Sequence, residues 1–133
     1  MVELKGYKLN TISFENKAEN GAQLQLQNKI QYNVNYIDSE NRCISVLNFR
    51  VIDSNLNPFE IKLEMVAEFL YEDGDDKRDI HADSFDQIFP FVRQIINSIT
   101  AMSGIPALMI PIVKLDRESV AVNTPQSEES QLN

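Results

Sequence analysis

Apolar and polar side chains alternate with little interruption from Gln23 to Ile37. Leu24, Leu26, Ile30, Tyr32, Val34 and Tyr36 fall on one side, and only Asn28 breaks the row. The other side is Gln23, Gln25, Gln27, Lys29, Gln31, Asn33 and Asn35. A period of two with this contrast predicts a long strand with one wet face. Phe59 to Tyr71 repeats it, with Phe59, Ile61, Leu63, Met65, Ala67, Phe69 and Tyr71 inward and Glu60, Lys62, Glu64 and Glu68 outward.

Two further segments alternate but change phase. In Cys43 to Ile52 the apolar positions are even at Ile44 and Val46, then odd at Leu47, Phe49 and Val51, which predicts a bulge near Val46-Leu47. In Tyr7 to Phe14 the phase shifts from Tyr7 and Leu9 to Ile12 and Phe14, and the same device reconciles the two sets. Asp38-Ser39-Glu40-Asn41 and Asp53-Ser54-Asn55-Leu56-Asn57-Pro58 are turns, rich in Asp and Asn that bond their own backbone, and short enough for antiparallel hairpins. The connection from Glu15 to Ala22 is longer and polar, which predicts a crossover rather than a tight turn.

After Tyr71 comes an acidic run, Glu72 to Asp79, read as a solvated loop. It lacks the ligand spacing and closing Glu of a calcium-binding helix–loop–helix. The period then becomes helical: Phe85, Ile88, Phe89, Val92, Ile95, Ile96, Ile99 and Met102 recur at three and four. Ser84 followed by Gln87 resembles a capping box, and Pro90 fits best in a first turn. The expectation is a short turn over Ser84 to Ile88, then a main helix from about Phe89 to Ser103, stopped by Gly104 in the left-handed conformation.

Beyond it, Ile105 to Val113 carries no polar side chain, and its prolines, Pro106 and Pro111, spoil it as a helix interior or a central strand. It is too short to span a bilayer. It therefore reads as core, subunit seam or an open apolar surface. The expected architecture is α+β, a four-stranded antiparallel sheet followed by one principal helix. Residues 1–122 form the single domain, and 123–133 a disordered polar and acidic tail.

Composition narrows the function. A net charge of −8 argues against nucleic acid and against electrostatic attachment to an anionic membrane. Cys43 is the only cysteine, so no intrachain disulfide or thiolate metal cluster can form. The start, Met1 to Lys5, has no apolar signal core, and a cytoplasmic location is expected. Glycine-rich phosphate loops are absent, and no Asp or Glu interrupts an apolar row. Cys43 reads as a small hydrophobe and His81 as a solvated residue, so no catalytic group, metal or cofactor is expected.

Several motifs together resemble the SecB family of protein-export chaperones. They are Phe89-Pro90-Phe91-Val92-Arg93, Ile95-Ile96-Asn97-Ser98-Ile99, Ser103 to Leu108, Pro111-Ile112-Val113 and the early Ile12-Ser13-Phe14-Glu15. The likeness runs over about residues 4 to 116, and its helix-and-proline portion is the more specific part. It implies a tetramer built as a dimer of dimers that binds non-native polypeptides without ATP; the amount of apolar material in so short a chain by itself points to a homodimer or homotetramer. It also implies a translocase motor, SecA, as client receiver. Carried onto this chain, the client groove would comprise Phe14, Leu24, Met102, Ile105, Leu108, Met109 and Ile110, while Phe89, Val92, Ile96 and Ile99 would pack between subunits or against the sheet. The family continues into a second helix, whereas Leu115 to Val122 allows two turns at most, so the chain reads as a divergent shorter relative. A SecB-fold protein dedicated to one partner, as in a toxin–antitoxin pair, and an oligomeric structural protein without a groove are the alternatives.

Overall fold

The computed structural model describes residues 2–105. Leu108, Met109 and Ile110, most of the proline-broken apolar stretch and the acidic tail lie outside the described residues. Four strands, β1 (Glu3–Asn16), β2 (Leu26–Ile37), β3 (Arg42–Asp53) and β4 (Phe59–Leu70), precede one helix, α1 (Lys77–Ala101). All neighbouring strands are antiparallel, in the order β1-β4-β3-β2. The connection after β1 therefore crosses the end of the sheet from one edge to the other, as its length and polarity imply.

The alternating rows explain the layers. The odd residues of β4, from Phe59 to Phe69, are buried, and so is Tyr71 just beyond the strand. They meet Cys43, Leu47, Phe49 and Val51 of β3, and Tyr32 and Val34 of β2, in one core that α1 covers. In β1 the register shifts between Leu4 and Gly6 and again between Leu9 and Thr11. Those two irregularities keep Leu4, Tyr7, Leu9, Ile12 and Phe14 opposite Phe69, Ala67, Met65, Leu63 and Ile61, all on the helix side. A bulge converts an odd row into an even one without turning the apolar side chains to water.

No bulge occurs in β3. Its pairing with both neighbours is continuous from Arg42 to Ile52. Ile44, Val46 and Ile52 instead lie half-buried on the wet face, where Val46 sits opposite Val66. A central strand bonded on both sides cannot insert a residue without breaking two ladders, so apolar side chains on its outer face are the cheaper solution.

β2 starts at Leu26 rather than Gln23 because the preceding backbone bonds the β3–β4 turn. Asp53 Oδ1 accepts from Gln25 N at 2.6 Å, and its Oδ2 accepts from Asn57 N at 2.9 Å and Asn57 Nδ2 at 2.6 Å. Asn55 Nδ2 and Asn57 Nδ2 both donate to Gln23 O. Burial pushes the Asp53 carboxyl up, but the bonds from Gln25, Asn57 and Asn55 outweigh it and hold it below the usual carboxylate range.

The helix departs most from expectation. It is one helix of 25 residues, begins at Lys77 inside the run read as a solvated loop, and passes through Pro90. Asp76, not Ser84, is the N-cap, its side chain accepting from Arg78 N at 2.8 Å. A helix-interior proline loses a backbone bond and costs roughly 3 kcal/mol. Burial of Ile80, Phe85, Ile88, Phe89, Val92 and Ile96 on both sides of it outweighs that cost, at about 1.5–3 kcal/mol per large apolar side chain. Pro90 itself is exposed, on the side of the helix away from the sheet. Gly104 does take the left-handed conformation just past the helix, with φ 91°.

Candidate functional site

The helix crosses the sheet obliquely, and its ring contacts mark the path. Tyr36 Oη of β2 donates to Lys77 O at the first turn. Tyr32 meets His81 and Phe85 edge-on and shares a buried 2.6 Å hydrogen bond with Ser84 Oγ. Phe89 then reaches Phe49 of β3, and Phe91 reaches Tyr7 of β1 at a centroid distance of 4.6 Å. Near the β1 edge, therefore, the helix contributes only one ring.

The consequence is an apolar strip that the helix leaves open. Tyr7 is 49% exposed, Leu9 36% and Phe91 38%, although both strand residues point to the same side of the sheet as the buried core. β1 is also an edge strand of 14 residues, and among the described residues no strand lies beside its outer backbone groups. Long edge strands with apolar side chains are templates for pairing with another chain. In the sequence Tyr7 and Leu9 are the odd-phase apolar positions of the first strand, and Phe91 belongs to the Phe89-Pro90-Phe91 motif rather than to the helical apolar row. Their exposure follows from the helix path, which alternation does not report.

The residues expected to line a groove distribute as follows. Phe14 is half-buried at the end of β1, edge-on to Phe59 at 5.5 Å. Leu24 is 37% exposed in the crossover just before β2. These two share one end of the sheet but flank opposite edges, three strand spacings or about 14 Å apart, so they stand at the two ends of the crossover rather than face each other. Met102 is 81% exposed beyond the helix, and Ile105 packs partly against the core. Phe89, Val92 and Ile96 are buried in the chain's own sheet–helix core, and Ile99 is half-buried beside them.

The two residues with potential for nucleophilic or general-base chemistry are both core residues. Cys43 is fully buried, and burial pushes its thiol up to about 12. A thiol so raised carries almost no thiolate at neutral pH. His81 is buried, not solvated as its position after an acidic run suggests, and desolvation lowers it to about 4. The reason is the earlier helix start, which puts His81 one turn in, against Tyr32. Among the described residues no group of three or more His, Cys, Asp or Glu is placed to hold a metal ion. Among the same residues no helix is long and apolar enough to cross a membrane.

No protein-family model and no curated protein matches this chain. Solved structures do. The sheet order and single covering helix define a class, the α+β proteins with one antiparallel sheet and a helix on one face. Within it, the chain is similar to a SecB-like chaperone of Mycobacterium tuberculosis, solved in complex with a ChAD peptide from the HigA1 antitoxin. The TM-score is 0.67 at 13% identity, over 85% of this chain and 88% of that one. A protein of unknown function from Streptococcus agalactiae is similar with a TM-score of 0.56 at 11% identity, over 84% and 98% of the two chains. At such identities the likeness shows the fold, and the fold is SecB-like.

Proposed function

We infer that this protein is a non-enzymatic binding protein of SecB-like fold that holds an extended segment of one dedicated protein partner. The observation that carries this reading is the likeness, over most of both chains, to a SecB-like chaperone solved with a peptide from an antitoxin. The open strip of Tyr7, Leu9 and Phe91 beside the β1 edge supports it. An extended partner segment laid along β1 gains main-chain hydrogen bonds from the edge, while apolar side chains at alternate positions cover the strip. The broader reading, an ATP-independent holdase for many unfolded polypeptides, would use Phe14, Leu24, Met102 and Ile105 together with Leu108, Met109 and Ile110. Assembly as a homodimer or homotetramer, a domain closing near residue 122 before a polar tail, and a cytoplasmic location belong to the same reading. Delivery to the translocase motor SecA belongs to the broader one.

Photo-crosslinking from position 9 in the native cell separates the two. A dedicated partner gives one predominant adduct that persists against an excess of unfolded casein and is lost on Phe91→Asp. A ladder of adducts, competed away by casein, would replace this reading with the general holdase. Size-exclusion chromatography with light scattering on Leu9→Asp tells whether the strip is a subunit seam instead. Dissociation of an oligomer by that substitution would assign β1 to self-assembly.

A further inference from the structure

The opposite, wet face of the sheet carries an arrangement that neither the fold nor the apolar strip accounts for. The strand registers align side chains in transverse rows. In one row Lys29 of β2 pairs with Arg50 of β3, Arg50 with Lys62 of β4, and Lys62 with Ser13 of β1. In the adjoining row Gln31, Asn48, Glu64 and Thr11 stand abreast. Between the two rows lies an open depression of about 340 Å³ that reaches all four strands, with Thr11, Gln31, Asn48, Arg50, Lys62 and Glu64 among its lining residues.

Three cations abreast on neighbouring strands are costly, because like charges directly opposite each other destabilise a sheet. Only the middle one is compensated, Arg50 donating from Nε and Nη2 to Glu60 Oε2 at 3.1 and 2.7 Å. Lys29 and Lys62 are exposed, and neither makes an ion pair among the described residues. The chain has 20 Asp and Glu for 12 Lys and Arg, so unpaired lysines beside a third cation are not forced by composition.

The geometry points to a second docking surface on this face, for an acidic peptide segment of a protein partner. Its carboxylates would sit against Lys29, Arg50 and Lys62, and the Gln31 and Asn48 amides and the Thr11 hydroxyl supply neutral donors from the adjoining row. Lys29 and Lys62 stand two strand spacings, about 10 Å, apart, and carboxylates at alternate positions of an extended peptide recur at about 7 Å. The flexible lysine stems take up the difference. Carboxylates flank the cations on both sides, Glu64 in the adjoining row and Glu60 opposite Glu15 in the row beyond, so they confine an acidic segment to the cation row itself. The net charge of −8 disfavours a dense polyphosphate but tolerates a peptide whose few charges meet the cations locally. This surface faces away from the apolar strip, so its test stands apart from the function proposed above.

The test is fluorescence anisotropy of a fluorescein-labelled peptide of alternating Glu and Ser, against matched peptides of Gln-Ser and Lys-Ser. The Glu-Ser peptide should bind saturably at low ionic strength and be released by salt. Replacing both lysines, Lys29→Gln with Lys62→Gln, should weaken it by about tenfold or more, as the loss of two charge contacts implies. Leu9→Asp should leave it unchanged. The double variant should also melt no lower than the wild type, since like-charge opposition is relieved. No saturable binding, equal binding by the double variant, tighter binding of Lys-Ser, or a lower melting point in the double variant would each overturn the proposal.

Discussion

His81 makes the acid sensitivity of this protein unusually easy to read, because it is the chain's only histidine. It is buried against the edge of the Tyr32 ring, and desolvation lowers it from 6.5 to about 4. The unfolded chain therefore binds a proton on this residue between those values while the folded chain does not. By linkage, stability is fully present above about pH 6.5 and falls as pH drops towards 4, where the loss levels off. Two and a half pH units at about 1.4 kcal/mol each set the ceiling near 3 kcal/mol. Between pH 7 and pH 5 the loss should be about 2 kcal/mol, in a window where ordinary carboxylates are already ionised. Urea unfolding followed by far-ultraviolet circular dichroism at the two pH values measures it, at fixed protein concentration so that any assembly contributes equally. In His81→Gln the difference should largely vanish, since His81 is the chain's only histidine. The imidazole proton resonance of the wild type should also keep its neutral position down to about pH 5. A wild type equally stable at both pH values, or a variant that keeps the full slope, would refute the burial argument.

Asp53→Ala should lower stability and expose the crossover at residues 17–25 to limited proteolysis, since Gln25 N and Asn57 N lose their acceptor. An unchanged cleavage pattern would show that the turn holds the crossover by other means. Pro90→Ala restores a helix-interior backbone donor at an exposed site and should raise stability by about 1–3 kcal/mol in urea unfolding. Any loss would mean that the packing of α1 depends on the proline. Cys43, its thiol pushed up to about 12, should react with Ellman's reagent only at the rate of global unfolding. The raised thiol also implies stability that is intact below about pH 9 and falls as pH climbs towards 12; Cys43→Ala should remove the part lost between about pH 9 and 10, before Tyr32, Tyr36 and Tyr71, also raised by burial, add their own loss.

Much of this was legible along the chain because strand burial is a local property. A row such as Phe59, Ile61, Leu63, Met65, Ala67 and Phe69 has a period that only one backbone geometry places on one face. The phase change between Leu9 and Ile12 announced a real register shift for the same reason. An identical phase change at Val46-Leu47 announced nothing, because β3 lies in the middle of the sheet and β1 at its edge. Alternation does not encode that position. The start of α1 was hidden likewise: an acidic run reads as loop, yet Asp76 caps a helix whose first turns gain stability from His81 and Ser84 packing on Tyr32, more than forty residues earlier.

The sequence alone thus determined the class of fold, the four strands, the faces of β2 and β4 and the crossover, all consequences of periodicity and composition. Tertiary structure alone decided which apolar residues stay uncovered. Tyr7, Leu9 and Phe91 resemble core residues in the chain, and Phe14 and Leu24 resemble groove partners. Their roles depend on where one helix lies across four strands. That path is set by the summed packing of Tyr32, Phe49, Phe85 and Phe89, contacts between residues far apart in sequence that no local pattern records.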